Sequence, residues 1–188
     1  MHKILGPGIV LFDNFFDQEY ISFIENNISD HFQLKINNPN GDIVRKSYSI
    51  QLSDIEQLDN NAKILYDDFK IKLENCINIY KSLYNVPNMM PDYGDDSRPM
   101  VTLLKYEIDN SVIFHSDTLG MDNRIGAALA YLNDDYEGGE LEFKHFDIKI
   151  TPPKNSLIMF PSNWPYTHRS NPIVSGKKYA IRCFLVSK

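Results

Sequence analysis

The feature that most constrains this chain is a change of period part-way along it. From Ser53 to Tyr84 apolar residues recur at spacings of three and four. Ile55, Leu58, Ala62, Leu65, Phe69, Leu73, Cys76, Tyr80 and Leu83 make one stripe, the mark of a helix with a single buried face. Ser53 and Glu56 place an S-x-x-E capping pattern at its start. The repeats drift from a strict heptad, so the stripe predicts a helix laid on a sheet rather than a coiled coil. Beyond Val86 the helical period ends. Pro87, Pro91, Gly94 and Pro99 mark an irregular linker. Short β-type runs then follow at 100–107, 112–114, 124–132, 140–143, 148–150, 156–160, 166–168 and 178–186, separated by turn residues. So many short strands in so little chain predict a jelly roll or small barrel. Ahead of the stripe, Ile9–Phe12 predicts one strand, Asp17 is placed to cap a helix with Ile21, Ile24 and Ile28 inward, and 37–41 is a turn. The expectation is an α+β single domain: a mainly helical support over about 1–90 and a β-rich core over about 98–188.

Composition bounds the function classes. The chain has 188 residues, 25 acidic and 19 basic, for a net charge of −6. Broad nucleic-acid binding needs a surplus of Lys and Arg, so no nucleic-acid partner is expected. Cys76 and Cys183 lie far apart in apolar stretches and predict two buried thiols in a reducing compartment. No secretory leader and no run of about 18 apolar residues is visible. A soluble cytoplasmic protein, monomeric or weakly dimeric and without a membrane partner, is therefore expected.

The chemistry concentrates around His115. It stands in Phe114-His115-Ser116-Asp117 at the end of a short strand. Residues i and i+2 of a strand share a face, so an imidazole and a carboxylate can project together. A histidine from elsewhere would complete a two-histidine, one-carboxylate triad, which binds ferrous iron and leaves positions open for substrate and oxygen. His145-Phe146-Asp147 repeats the pattern, but the chain from His145 to His168 allows barely one hairpin. From His115 to His168 there is room for four or five strands. His115, Asp117 and His168 are thus the expected ligands, with His145 and Asp147 a solvated hairpin pair. On the last strand Lys178, Ala180, Arg182 and Phe184 share one face, and Tyr179, Ile181, Cys183 and Leu185 the other. If the first face is the inner one, Lys178 needs an anion, and a small diacid fits.

These residues, in this order, resemble the iron(II)/2-oxoglutarate-dependent dioxygenases of the prolyl 4-hydroxylase branch. The matching pieces are Tyr106, His115-Ser116-Asp117, Tyr131-Leu132-Asn133, Gly138-Gly139-Glu140-Leu141, Phe160-Pro161-Ser162, His168, Pro172, Gly176 and Lys178-Tyr179, with Val10 to Phe16 resembling the start of the catalytic domain. The resemblance implies a double-stranded β-helix (jelly-roll, cupin-like) core, with iron on His115, Asp117 and His168. It implies 2-oxoglutarate paired to Lys178 and lined by Tyr106 and Tyr131, O2 as oxidant, and ascorbate as accessory reductant. The implied reaction is hydroxylation of an unactivated C–H bond, of a prolyl residue in a protein or peptide first and of a free amino acid or other small molecule second. Arg182 departs from the family, which has an uncharged residue there; it could touch cosubstrate or an acidic or carbonyl group of the substrate. Trp164 is a candidate wall residue. A jelly roll that binds without catalysing, and a cupin-like site for another metal, are the competing readings.

Overall fold

The computed structural model describes residues 1–17, 19–37, 45–52, 60–95, 98–118 and 123–187. Its strands are β1 (His2–Gly6), β2 (Ile9–Asp13), β3 (Gln33–Asn37), β4 (Arg45–Gln51), β5 (Met89–Asp92), β6 (Gly94–Asp95), β7 (Arg98–Pro99), β8 (Thr102–Tyr106) and β9 (Ser111–His115). There follow β10 (Arg124–Tyr131), β11 (Glu137–Gly138), β12 (Leu141–Phe143), β13 (Ile148–Ile150), β14 (Ser156–Pro161), β15 (His168–Ser170), β16 (Ile173–Ser175) and β17 (Lys178–Ser187). One long helix, α1, spans Asn60–Tyr84.

Thirteen of these strands form one antiparallel sheet that rolls up on itself in the order β1-β2-β14-β10-β17-β8-β4-β9-β15-β12-β13, with β3 on β4 and β5 on β17. This is the expected jelly roll. Chain neighbours are rarely sheet neighbours: β17, the last strand, lies between β10 and β8. Its two faces do different work. Tyr179, Ile181, Cys183 and Leu185 are buried in a core shared with Ala62, Leu65, Phe69, Leu73 and Cys76 of α1. Ala180 and Phe184 face the interior of the roll, with Tyr131, Leu141, Phe143 and Phe160. The helix covers the outer face of the sheet, and the inner face is left for chemistry.

Several expectations need correction. The first half holds more strand than the one expected over Ile9–Phe12: β1 to β4 all lie in it beside its helices. Residues 21–31 form only one α-helical turn, a π-helical segment and a 3-10 turn. Asp17 caps nothing there; the first turn has no side-chain cap, and the Asp17 carboxylate meets Lys72 of α1 at 2.5 Å. The 166–168 run is a 3-10 turn over Trp164–Tyr166 with the strand beginning only at His168. Leu83 is 39% exposed and leaves the buried stripe of α1, whose inner face takes Tyr66 and Ile77 instead. The Ser53–Glu56 capping pattern and most of the 37–41 turn lie outside the described residues.

The missed strand β4 matters most. Its Tyr48–Gln51 segment pairs with β8, and its Arg45–Lys46 end pairs with β9. It therefore bridges the two parts of the sheet that carry the site.

Candidate active site

Two strands place the histidines. His115 ends β9 and His168 begins β15, and the antiparallel register sets them directly opposite each other. Their ring centroids are 4.5 Å apart. Asp117 lies two residues beyond His115, where β9 has ended. Its two carboxylate oxygens reach toward the pair: Oδ1 is 3.4 Å from His115 Nε2, and Oδ2 is 3.6 Å from His168 Nε2. One donor atom from each of the three lies within 4.8 Å of the others.

The backbone fixes which ring nitrogen faces inward. His115 Nδ1 lies 2.9 Å from the Ile113 carbonyl and His168 Nδ1 lies 3.0 Å from the Tyr166 carbonyl. A carbonyl only accepts, so both Nδ1 atoms carry the proton and both Nε2 lone pairs face Asp117. Burial pushes the His168 imidazole down to about 4 against the pull of Asp117, so it is neutral near pH 7. Burial works to raise the Asp117 carboxyl, but the neighbouring His115, His168 and Arg182 outweigh it, and the group stays an anion. Two imidazoles and one carboxylate, convergent and with Asp117 and His168 buried, fit a ferrous ion with an open face. Phe143 and Phe160 pack on the His168 ring, with centroids at 5.8 and 4.8 Å, and hold it in place.

On one side of the triad the cleft ends at Lys178, which is 2% exposed. It opens β17 opposite Tyr106 of β8. Its ammonium donates to the Gly139 carbonyl at 2.5 Å and to Ser170 Oγ at 3.0 Å. Three tyrosine rings surround it: Tyr106 at 5.2 Å, Tyr131 at 5.3 Å and Tyr136 at 5.9 Å. No carboxylate reaches it among the described residues, and burial lowers it to about 7, with Glu140 opposing from a distance. A buried ammonium without an anion is an incomplete arrangement. One carboxylate of a small diacid would complete it.

The other side of the cleft is the mouth. Arg182 lies two strand repeats along β17 from Lys178, on the same inner face, and Arg45 of β4 comes in beside it. The lining of the open mouth includes Arg45, Arg182, Arg124, Lys35, His115 and Asp117, but neither Lys178 nor His168.

His115, Asp117, His168, Lys178, Tyr106, Tyr131 and Arg182 thus line one cleft. His145 and Asp147 are exposed on the β12–β13 hairpin, away from it. Trp164 is 72% exposed, and its ring meets only the edge of His145, at 5.9 Å, so it is no wall of the cleft. Three residues escaped sequence reasoning: Arg45, Tyr136 and Ser170. Arg45 opens R-K-S-Y-S-I-Q, whose period-two alternation is a strand signal, but the buried members are Ser47 and Ser49 and so read as polar loop. Tyr136 stands among acidic residues that suggest a solvated turn.

Residues 101–186 match the family model of the 2OG-Fe(II) oxygenase superfamily. No curated relative matches the chain. Among solved structures, a viral collagen prolyl hydroxylase from Paramecium bursaria Chlorella virus-1, in complex with 2OG, is similar with a TM-score of 0.70 and 18% identity, over 97% of this chain and 98% of that one. A prolyl hydroxylase from Trichoplax adhaerens, in complex with a hypoxia inducible factor peptide fragment, gives a TM-score of 0.70 and 20% identity over 96% of this chain and 84% of that one. A Pseudomonas putida prolyl-4-hydroxylase gives 0.67 and 12%, over 96% and 93%. At these identities the likeness is one of fold.

Proposed function

We infer that this chain, whose residues 101–186 match the family model of the 2OG-Fe(II) oxygenase superfamily, hydroxylates an unactivated C–H bond of an amino-acid unit, with a prolyl residue of a peptide as the leading substrate. The observation that carries the reading is the order of groups along one cleft: an enclosed lysine, then the two-histidine, one-carboxylate triad, then an open mouth. The family brings Fe(2+), 2-oxoglutarate and O2. Support for a prolyl substrate comes from the fold, which is that of structures described as prolyl hydroxylases.

His115, Asp117 and His168 would hold the iron through both Nε2 atoms and one carboxylate oxygen. Bound iron and 2-oxoglutarate supply the oxidising chemistry, and ascorbate would keep the metal reduced. The remaining task for the chain is positioning. Lys178 fixes the far carboxylate of the cosubstrate by charge and hydrogen bond. Tyr106, Tyr131 and Leu141 line that end of the cleft and keep water from it. The carbonyls of Ile113 and Tyr166 lock both rings in the ligating tautomer.

No helix among the described residues is long and apolar enough to cross a membrane. A reducing cytoplasm suits a ferrous site and the free, buried Cys76 and Cys183.

The test is succinate formation from 2-oxoglutarate with added ferrous iron. The expected result is iron-dependent turnover that falls at least about a hundredfold in His168→Ala, together with loss of ferrous-iron binding in an equilibrium titration. Turnover that survives the substitution would remove His168 from the metal site.

A further inference from the structure

Arg182 sits where burial is expensive. Its guanidinium is pushed down to about 10, first by burial and then by the neighbouring Arg45 cation. It donates to Thr102 Oγ1 at 3.3 Å and stacks on Phe184 at 4.8 Å. Its Nε is buried with no hydrogen-bond partner. Neither Arg182 nor Arg45 makes an ion pair among the described residues, although the chain as a whole carries more acids than bases. Two like charges held together, one with an orphaned donor, cost stability unless an anion completes them. A guanidinium offers a planar fork that matches a carboxylate in two-point fashion.

Asp117 feels the charge of Arg182 but makes no ion pair with it, and its oxygens are turned to His115 and His168 as the third member of the metal triad. The cosubstrate is also poorly placed, because Lys178 holds the opposite end of the cleft and does not line the mouth. Lys35 and Arg124 add further positive charge at the mouth. The cleft therefore has two cationic ends with the triad between them.

We propose that Arg182 and Arg45 form an anion cradle for the primary substrate, so that the molecule oxidised carries a carboxylate close to the reacting carbon. This rests on the oxygenase reading above and sharpens its substrate class: an acidic peptide or a free amino acid is accepted, and a neutral prolyl stretch is not. The two sources share one chemistry, a carboxylate presented beside the metal.

The experiment uses matched acid and amide pairs as probes. One arm compares prolyl peptides flanked by Asp or Glu with the same peptides carrying Asn or Gln. The other compares free L-proline with L-prolinamide. Both are read by direct calorimetric binding to the full chain and by stimulation of succinate formation. An acid preferred at least tenfold over its amide in either arm, with the preference lost in Arg182→Met, supports the cradle, and the arm that responds identifies the source. Arg45→Met, at the cleft rim, should lower the same ratio and covers the case in which the Arg182 variant fails to fold. Equal response to acid and amide, no binding of any acid, or a preference untouched in both variants overturns the proposal. So does a raised KM for 2-oxoglutarate in place of lost discrimination, which would assign Arg182 to the cosubstrate. Iron-dependent turnover without added substrate tests the oxygenase reading separately, so the two can fail independently.

Discussion

Lys178 shows how a single side chain can set the working pH of a site. Its ammonium is enclosed by Tyr106, Tyr131 and Tyr136, and its neighbours Gly139 and Ser170 offer only neutral oxygens. Burial favours the uncharged form, which brings the group down to about 7. Only the charged form attracts a dianion. A lowered value means the charge is present below about pH 7 and is lost as pH rises through it. Affinity for 2-oxoglutarate should therefore fall roughly tenfold per pH unit above about 8. Lys178→Met should bind weakly at every pH and lose this slope. Calorimetric titration from pH 6.5 to 9.5 measures both, and a wild-type affinity that is flat across that range would contradict the assignment. His115, Asp117, His168 and Lys178 were legible because each announces itself: a His-x-Asp at a strand end, a histidine at wrapping distance, and a lysine on an apolar strand. Arg45 was not, since nothing local to β4 says that it will lie beside β9.

At the scale of elements, the site depends on how β11 and β16 meet. Gly138 and Gly139 both have left-handed backbones, with φ of +76° and +64°. A Cβ on Gly138 would collide with the carbonyl oxygen of Pro172. The Gly139 N–H donates to that same carbonyl at 3.0 Å, and its own carbonyl receives Lys178. The double glycine thus seats the turn and hands the lysine its partner. Gly138→Ala should cost at least ~1–2 kcal/mol from the left-handed backbone alone. That corresponds to a melting temperature lower by several degrees for a chain of this size, and 2-oxoglutarate binding should weaken with it. Differential scanning calorimetry and a binding titration test the pair of effects; a variant as stable as wild type would show that the turn relaxes freely. The glycines were readable as a turn. Their contact with Pro172 was not, because β11 and β16 lie far apart in sequence and meet only through the roll of the sheet.

Across the whole molecule, the first half carries strands beside the long helix expected of it. The long helix was legible from its stripe, and Phe69 and Leu73 are fully buried where that stripe put them. The strands of the first half were not legible. In β3 the apolar face is the exposed one, with Leu34 and Ile36 at 45% and 52% exposure, and in β4 Ser47 and Ser49 point inward. Strands whose polar residues are buried by tertiary pairing alternate without a clear apolar inner face, so their period reads as a polar segment. Yet β4 joins β8 to β9, so the half expected to be a mere support closes the roll and contributes to the catalytic cleft.

The cleft's polarity also has a kinetic consequence. Lys178 lies at its closed end and the arginines at its opening, with the triad between. A molecule seated on Arg45 and Arg182 obstructs the route inward. The cosubstrate must then enter before the substrate, and its spent diacid can leave only after the oxidised product. Stopped-flow mixing should show slow 2-oxoglutarate capture when the protein is preloaded with substrate, and fast capture in the reverse order. The geometry makes the chain a queue with one door, in which order of arrival, rather than affinity alone, decides whether a turnover begins.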